Sequence, residues 1–141
     1  MKNTGLIAIS LFALTAAGKS QADAPVAMPA LDMAQPGLWA LKSRDNPASN
    51  RAICLKDIRT LIQLEHGSAL CNRFVISNGA REITVHYTCP GKGYGRTTIR
   101  TETPRLLQIE TQGIADNQPF AETIEARRTG ECAPVVGMAR H

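Results

Sequence analysis

Four cysteines, Cys54, Cys71, Cys89 and Cys132, constrain this chain more than any other feature. No two of them stand as C-x-x-C, so neither a thioredoxin-like redox pair nor a zinc knuckle is written in the sequence. His86 and Cys89 form an H-x-x-C, but no second close ligand pair accompanies it. No metal and no cofactor are therefore expected. An even cysteine count in a short exported chain reads instead as two disulfides.

Export is expected from the first residues. Lys2 gives a basic start, and Gly5 to Gly18 follow without a charge. That stretch is shorter than the ~20 residues a helix needs to span a bilayer, and it has the form of a secretory signal. Ser20 and Ala22 suit signal peptidase at −3 and −1, so residues 1–22 are expected to be removed, leaving no membrane span. No cysteine lies near the cut, so no lipid anchor is expected. The expected outcome is export from the cytoplasm.

The whole chain has 141 residues and a formal net charge of +4. Lys2 and Lys19 leave with the leader, so the remaining domain is nearly balanced. Its arginines are scattered from Arg44 to Arg140 rather than gathered in a stripe, which argues against nucleic acid as a partner.

Periodicity predicts a mainly β (α+β) fold. Residues 23–35 carry two prolines and no clear period, and read as a flexible lead-in. The domain proper spans 36–132, and 133–141 reads as a loose tail. Leu38 to Arg44 is a short strand. From Ile53 to Glu65, Leu55, Ile58, Leu61 and Ile62 share one face of a helix, closed by His66 and Gly67. Cys71 to Ser77 then runs into Asn78-Gly79, a hairpin signal. Ile83, Val85, Tyr87 and Cys89 alternate with Glu82, Thr84, His86 and Thr88. Further strands are read at 94–103, 107–112 and from 120. The sum is an up-and-down antiparallel sheet of five or six strands with one short helix packed on it and two disulfides.

Hairpin geometry pairs the cysteines. If 71–77 faces 82–89, Cys71 and Cys89 approach each other, provided a bulge or a wider loop corrects the strict two-residue register. Cys54 is left for Cys132. In the loop-entropy picture the shorter bond contributes roughly 3 kcal/mol and the longer roughly 4.5 kcal/mol.

Pro36-Gly37-Leu38-Trp39, Cys54-Leu55, the spaced Cys71 and Cys89, and Gly130-x-Cys132 together resemble an exported bacterial family, domain of unknown function 3617. The likeness covers about residues 34–132. It departs at Ala40, where that family usually carries Glu. The resemblance implies a periplasmic, mainly β protein and lends no activity.

No residue cluster assigns an activity. Trp39, the single Trp, reads as core beside Leu38 and Leu41, or as an aromatic platform for a ligand. Arg96 and Arg100 share one face of a strand, and Glu110 and Gln112 share a face of the next; a charged ligand could be held there, as could cross-strand pairs. Tyr94 adjoins them. Gly91-Lys92-Gly93-Tyr94-Gly95 lacks the G-K-[ST] ending of a phosphate loop and is a turn. No catalytic residue is assigned; a small hydrolase built on His86 and scattered acids is the enzymatic alternative. The leading reading is a non-enzymatic binding or interaction module of the cell envelope, with an unknown envelope protein or small ligand as partner. A structural or stress-related envelope protein is the alternative. N-terminal sequencing of the exported protein is expected to begin at Asp23; a start at Met1 would contradict export by this leader.

Overall fold

The structure is a computed structural model, and it describes residues 25–134. The signal segment, its cleavage site and the tail beyond residue 134 lie outside the described residues.

Seven antiparallel strands form one sheet: β1 (Gly37–Ser43), β2 (Arg51–Leu55), β3 (Asn72–Asn78), β4 (Glu82–Cys89), β5 (Gly93–Thr103), β6 (Leu106–Ala115) and β7 (Gln118–Gly130). Their order is β2-β1-β7-β6-β5-β4-β3. The sheet thus has seven strands rather than the five or six expected, and it is not a simple meander. β1 and β2 form one hairpin, β3 to β7 meander, and the last strand returns to pair with the first. The extra strand is β2. Its second half, Ile53 to Leu55, falls in the segment read as helix, because Leu55 is in phase with Ile58 and Leu61. Pairing with β1, Trp39 opposite Ile53 and Leu38 opposite Cys54, draws it into the sheet instead. Tertiary pairing here overrides the local period.

The remaining helical part, Ile58–His66, is 3₁₀ and is kinked at Gln63. Asp57 caps it by accepting from the Arg59 N–H (2.9 Å). Ile58, Leu61 and Ile62 are buried, so the period did identify the covering face, though not the helix type. This segment carries the chain from β2 at one edge of the sheet to β3 at the other.

A second segment crosses the same face. Residues 23–35, expected to be a loose lead-in, include a short helix α1 (Pro29–Asp32) and bury Met28, Ala30, Leu31 and Ala34. Asn78 Nδ2 donates to the Ala27 carbonyl beside β3 (2.9 Å). Thr101 Oγ1 donates to the Ala30 carbonyl over β5 (2.6 Å), and the Gln35 N–H donates to the Pro104 carbonyl (2.9 Å). The absence of a clear period reflects a strap that buries residues singly rather than a segment without contacts.

Ile83, Val85, Tyr87, Ile99, Leu107, Ile109, Ile124 and Trp39 project from the sheet beneath these two straps and form the core. Thr84, His86, Arg96, Thr98, Glu110, Gln112 and Thr123 occupy the opposite, open face, as the strand alternation requires.

Cys71 bonds Cys89 and Cys54 bonds Cys132, with Cα separations of 4.1 and 5.4 Å. The hairpin does not close at Asn78-Gly79. Gly79 pairs instead with Glu82, its N–H donating to the Glu82 carbonyl (2.8 Å), so the loop falls at Ala80-Arg81. A register shift between Val75 and Ser77 adds one residue to β3. Asn72 then faces Thr88, and Cys71 comes opposite Cys89. The two-residue turn with positive φ lies elsewhere, at Asp116-Asn117 (φ 49° and 63°), joining β6 to β7.

The second disulfide reaches from edge strand β2 across β1 to the end of β7. It closes 78 residues against 18 for the first. Replacing Cys54 and Cys132 together by Ser is expected to lower the melting temperature further than replacing Cys71 and Cys89 together, because the longer loop restricts the unfolded chain more. Thermal unfolding of the two double variants checks this; equal melting points would contradict it.

Candidate functional site

The two faces of the sheet differ in chemistry. On the covered face, Tyr87 packs directly on Gly95, and Gly113 faces Gly95 on the next strand. A side chain at Gly95 would overlap the Tyr87 hydroxyl, and one at Gly113 would meet the Tyr94 carbonyl and the Phe120 ring. Glycine is required at both positions by close approach. The Tyr87 hydroxyl lies 3.1 Å from His66 Nδ1, and His66 Nε2 lies 3.1 Å from the Ile114 carbonyl. A carbonyl only accepts, so Nε2 carries the hydrogen and, in the neutral ring, the Tyr87 hydroxyl donates to Nδ1. His66 therefore ties the end of the 3₁₀ segment to β4 and β6. Its sequence position suggested only a helix terminus, because the partners are 21 and 48 residues away. Burial, helped by the negative charge of Glu65, pushes the Tyr87 hydroxyl up to about 12, against a smaller opposing effect of Thr111.

Trp39 belongs to this covered face. It is fully buried, and its indole N–H donates to the Gln35 carbonyl (3.1 Å). It therefore offers no surface to a ligand, because the lead-in strap lies over it. Glu122 also points toward this side by strand alternation, and its Oε2 is buried without a hydrogen-bond partner.

The open face carries the site. Two adjoining clefts, of about 580 and 320 Å³, share Arg96, Gln112 and Ala121. Thr98, Glu110, Thr123 and Asp45 line the larger, and His86, Tyr94 and Ile114 the smaller. The register explains the grouping. Tyr94 faces Ile114, Arg96 faces Gln112, and Thr98 faces Glu110 on three successive pairs of β5 and β6. Asp45 closes one side, its carboxylate accepting from the Thr123 N–H (2.6 Å). The rings of His86 and Tyr94 are 6.1 Å apart between centroids.

Against the sequence expectations, Tyr94 and Arg96 come together in one cleft, and Arg100 lies outside both. Arg100 is held by Glu102 (3.0 Å). His86 lines the smaller cleft, with no carboxylate hydrogen-bonded to it among the described residues. Phe74, on edge strand β3 opposite His86, is 70% exposed and extends the aromatic strip of Tyr94 and His86. Sequence reasoning missed it, because alternation cannot tell an edge strand from an inner one. No group of three or more His, Cys, Asp or Glu side chains placed to hold a metal occurs among the described residues.

The chain matches none of the protein-family models, curated proteins or solved structures with which it was compared. The functional reading therefore rests on its own residues. None of its described helices is long and apolar enough to cross a membrane.

The raised Tyr87 pKa makes a pH prediction. Below pH 10 the hydroxyl keeps its proton in both folded and unfolded chains. Between pH 10 and about 12 only the unfolded chain loses it, so stability falls across that window. Denaturant unfolding of wild type and Tyr87→Phe at pH 9 and 11 is expected to show a steeper loss in the wild type; parallel losses would contradict the assignment.

Proposed function

We propose that this protein is a non-enzymatic binding module of the bacterial cell envelope, exported to the periplasm, which holds its partner or ligand on the open face of the sheet. The carrying observation is the asymmetry of the two faces. One is closed by two straps and a full core. The other presents Tyr94, 48% exposed, with Arg96 and Gln112 at the junction of two clefts and Phe74 beside them. Aromatic side chains next to an arginine are the residues most often found to dominate binding energy. A purely structural envelope protein would have had both faces covered, and the open face supports the binding reading over that one.

Export is supported by the apolar leader and by the two disulfides, which persist in oxidising compartments. The resemblance of Pro36-Gly37-Leu38-Trp39 and the four-cysteine order to the exported family domain of unknown function 3617 points the same way. The disulfides also suit the task, since a cross-linked sheet presents its face without the entropy cost of ordering it on binding.

The test exports the tagged full chain in a Gram-negative host and identifies what copurifies by mass spectrometry. Tyr94→Ala and Arg96→Ala are each expected to lower recovery of the bound species at least tenfold while changing stability by less than about 1 kcal/mol. Undiminished recovery by both variants would remove the open face from the function.

A further inference from the structure

Arg96 stands apart from three other arginines of the open face. Arg44 bonds Gln108, Arg100 pairs with Glu102 and Arg127 pairs with Glu125 on that same face. Arg96, in the middle of β5, joins no ion pair and no side-chain hydrogen bond among the described residues. Glu110 is its diagonal neighbour on β6 and is likewise in no ion pair there. Diagonal cross-strand neighbours lie roughly 7–8 Å apart. From those positions the two long side chains converge on one ligand that bears an anion and a cation a few ångströms apart, since they form no ion pair with each other.

Along β5 and β6 the open face then reads as three adjacent zones. The Tyr94–Ile114 pair is apolar, the Arg96–Gln112 pair is cationic with amide donors, and the Thr98–Glu110 pair is anionic. The apolar zone lines the smaller cleft, the anionic zone lines the larger, and Arg96 stands where they join. A guanidinium holds a carboxylate through two parallel hydrogen bonds, and an ammonium fits a carboxylate as a compact charge.

The geometry points to a small apolar zwitterion as the ligand: a free α-amino acid with an aromatic or aliphatic side chain. Its carboxylate lies on Arg96, its ammonium on Glu110, and its side chain against Tyr94 and Ile114. This rests on the reading of the open face as a binding surface and names the chemistry of its ligand.

The test titrates the purified protein with L-phenylalanine, N-acetyl-L-phenylalanine, L-phenylalanine amide and glycine, following backbone amide resonances by NMR. L-Phenylalanine is expected to shift Tyr94, Arg96 and Glu110 with saturation. The acetylated and amidated probes, each lacking one charge, and glycine, lacking the side chain, are expected to bind at least tenfold more weakly. Arg96→Gln and Glu110→Gln, with melting temperatures unchanged, are expected to weaken L-phenylalanine by a similar factor. Equal binding of the acetylated or amidated probe, or no saturable shift with L-phenylalanine, would overturn the inference. If amino acids fail while the copurifying species still requires Arg96, the ligand class is wrong and the binding face stands; if Arg96 and Tyr94 are both dispensable for copurification, the face itself is wrong.

Discussion

The core depends on hydrogen bonds that threonines in the sheet give to the segments lying over it. Short 3₁₀ turns and a single-turn helix cannot satisfy their own carbonyls, and burying an unpaired carbonyl is costly. Thr97 Oγ1 donates to the Ile62 carbonyl (2.7 Å) and lies 2.8 Å from Thr111 Oγ1. Thr101 does the same for Ala30. Two rows of an otherwise mostly apolar face thus carry hydroxyls at the places where the straps cross. This lets segments too short to be stable alone cover a core built from Ile83, Ile99, Ile109 and Ile124.

The covered face in turn leaves the other face free. Because the straps supply the second layer, the open side of β4 to β7 has no packing role to fill. It can carry Tyr94, Arg96 and Glu110 at little cost to stability. The disulfide at Cys71 holds edge strand β3 to β4, and the one at Cys54 holds edge strand β2 to the end of β7. Both edges of the sheet are therefore covalently secured, while the middle of the open face is left unobstructed.

Much of this was legible where the signal is local. The alternation of 82–89 set the two faces of β4, and Ile58, Leu61 and Ile62 marked an apolar covering stripe. Tyr94, Arg96, Glu110 and Gln112 were legible as neighbours on one face from strand parity alone. What was hidden depends on distant partners. Arg51–Leu55 becomes a strand only because β1 is there to pair with it, and Met28 to Ala34 is ordered only by the sheet it crosses. The hairpin loop falls at Ala80-Arg81 rather than at Asn78-Gly79, and the bulge at Ile76 then brings Cys71 opposite Cys89; no local rule places either. Trp39 could be read as platform or core until Gln35 was placed over it.

The pairing of β1 with β7 also governs the order in which the chain can become itself. Leu38 lies opposite Gly130, so the first strand waits for almost the whole chain before its second neighbour exists. A chain emerging from its N-terminus can close the β1–β2 hairpin and extend the β3 to β6 meander as two separate pieces, since their contacts are local. They share a sheet only when β7 arrives between them. The Cys71–Cys89 bond belongs to the second piece and is available early, whereas Cys54 has no partner until Cys132, two residues past the end of β7. Oxidation before that point leaves Cys54 exposed to the wrong partner, which makes the last strand the step that selects the correct pairing.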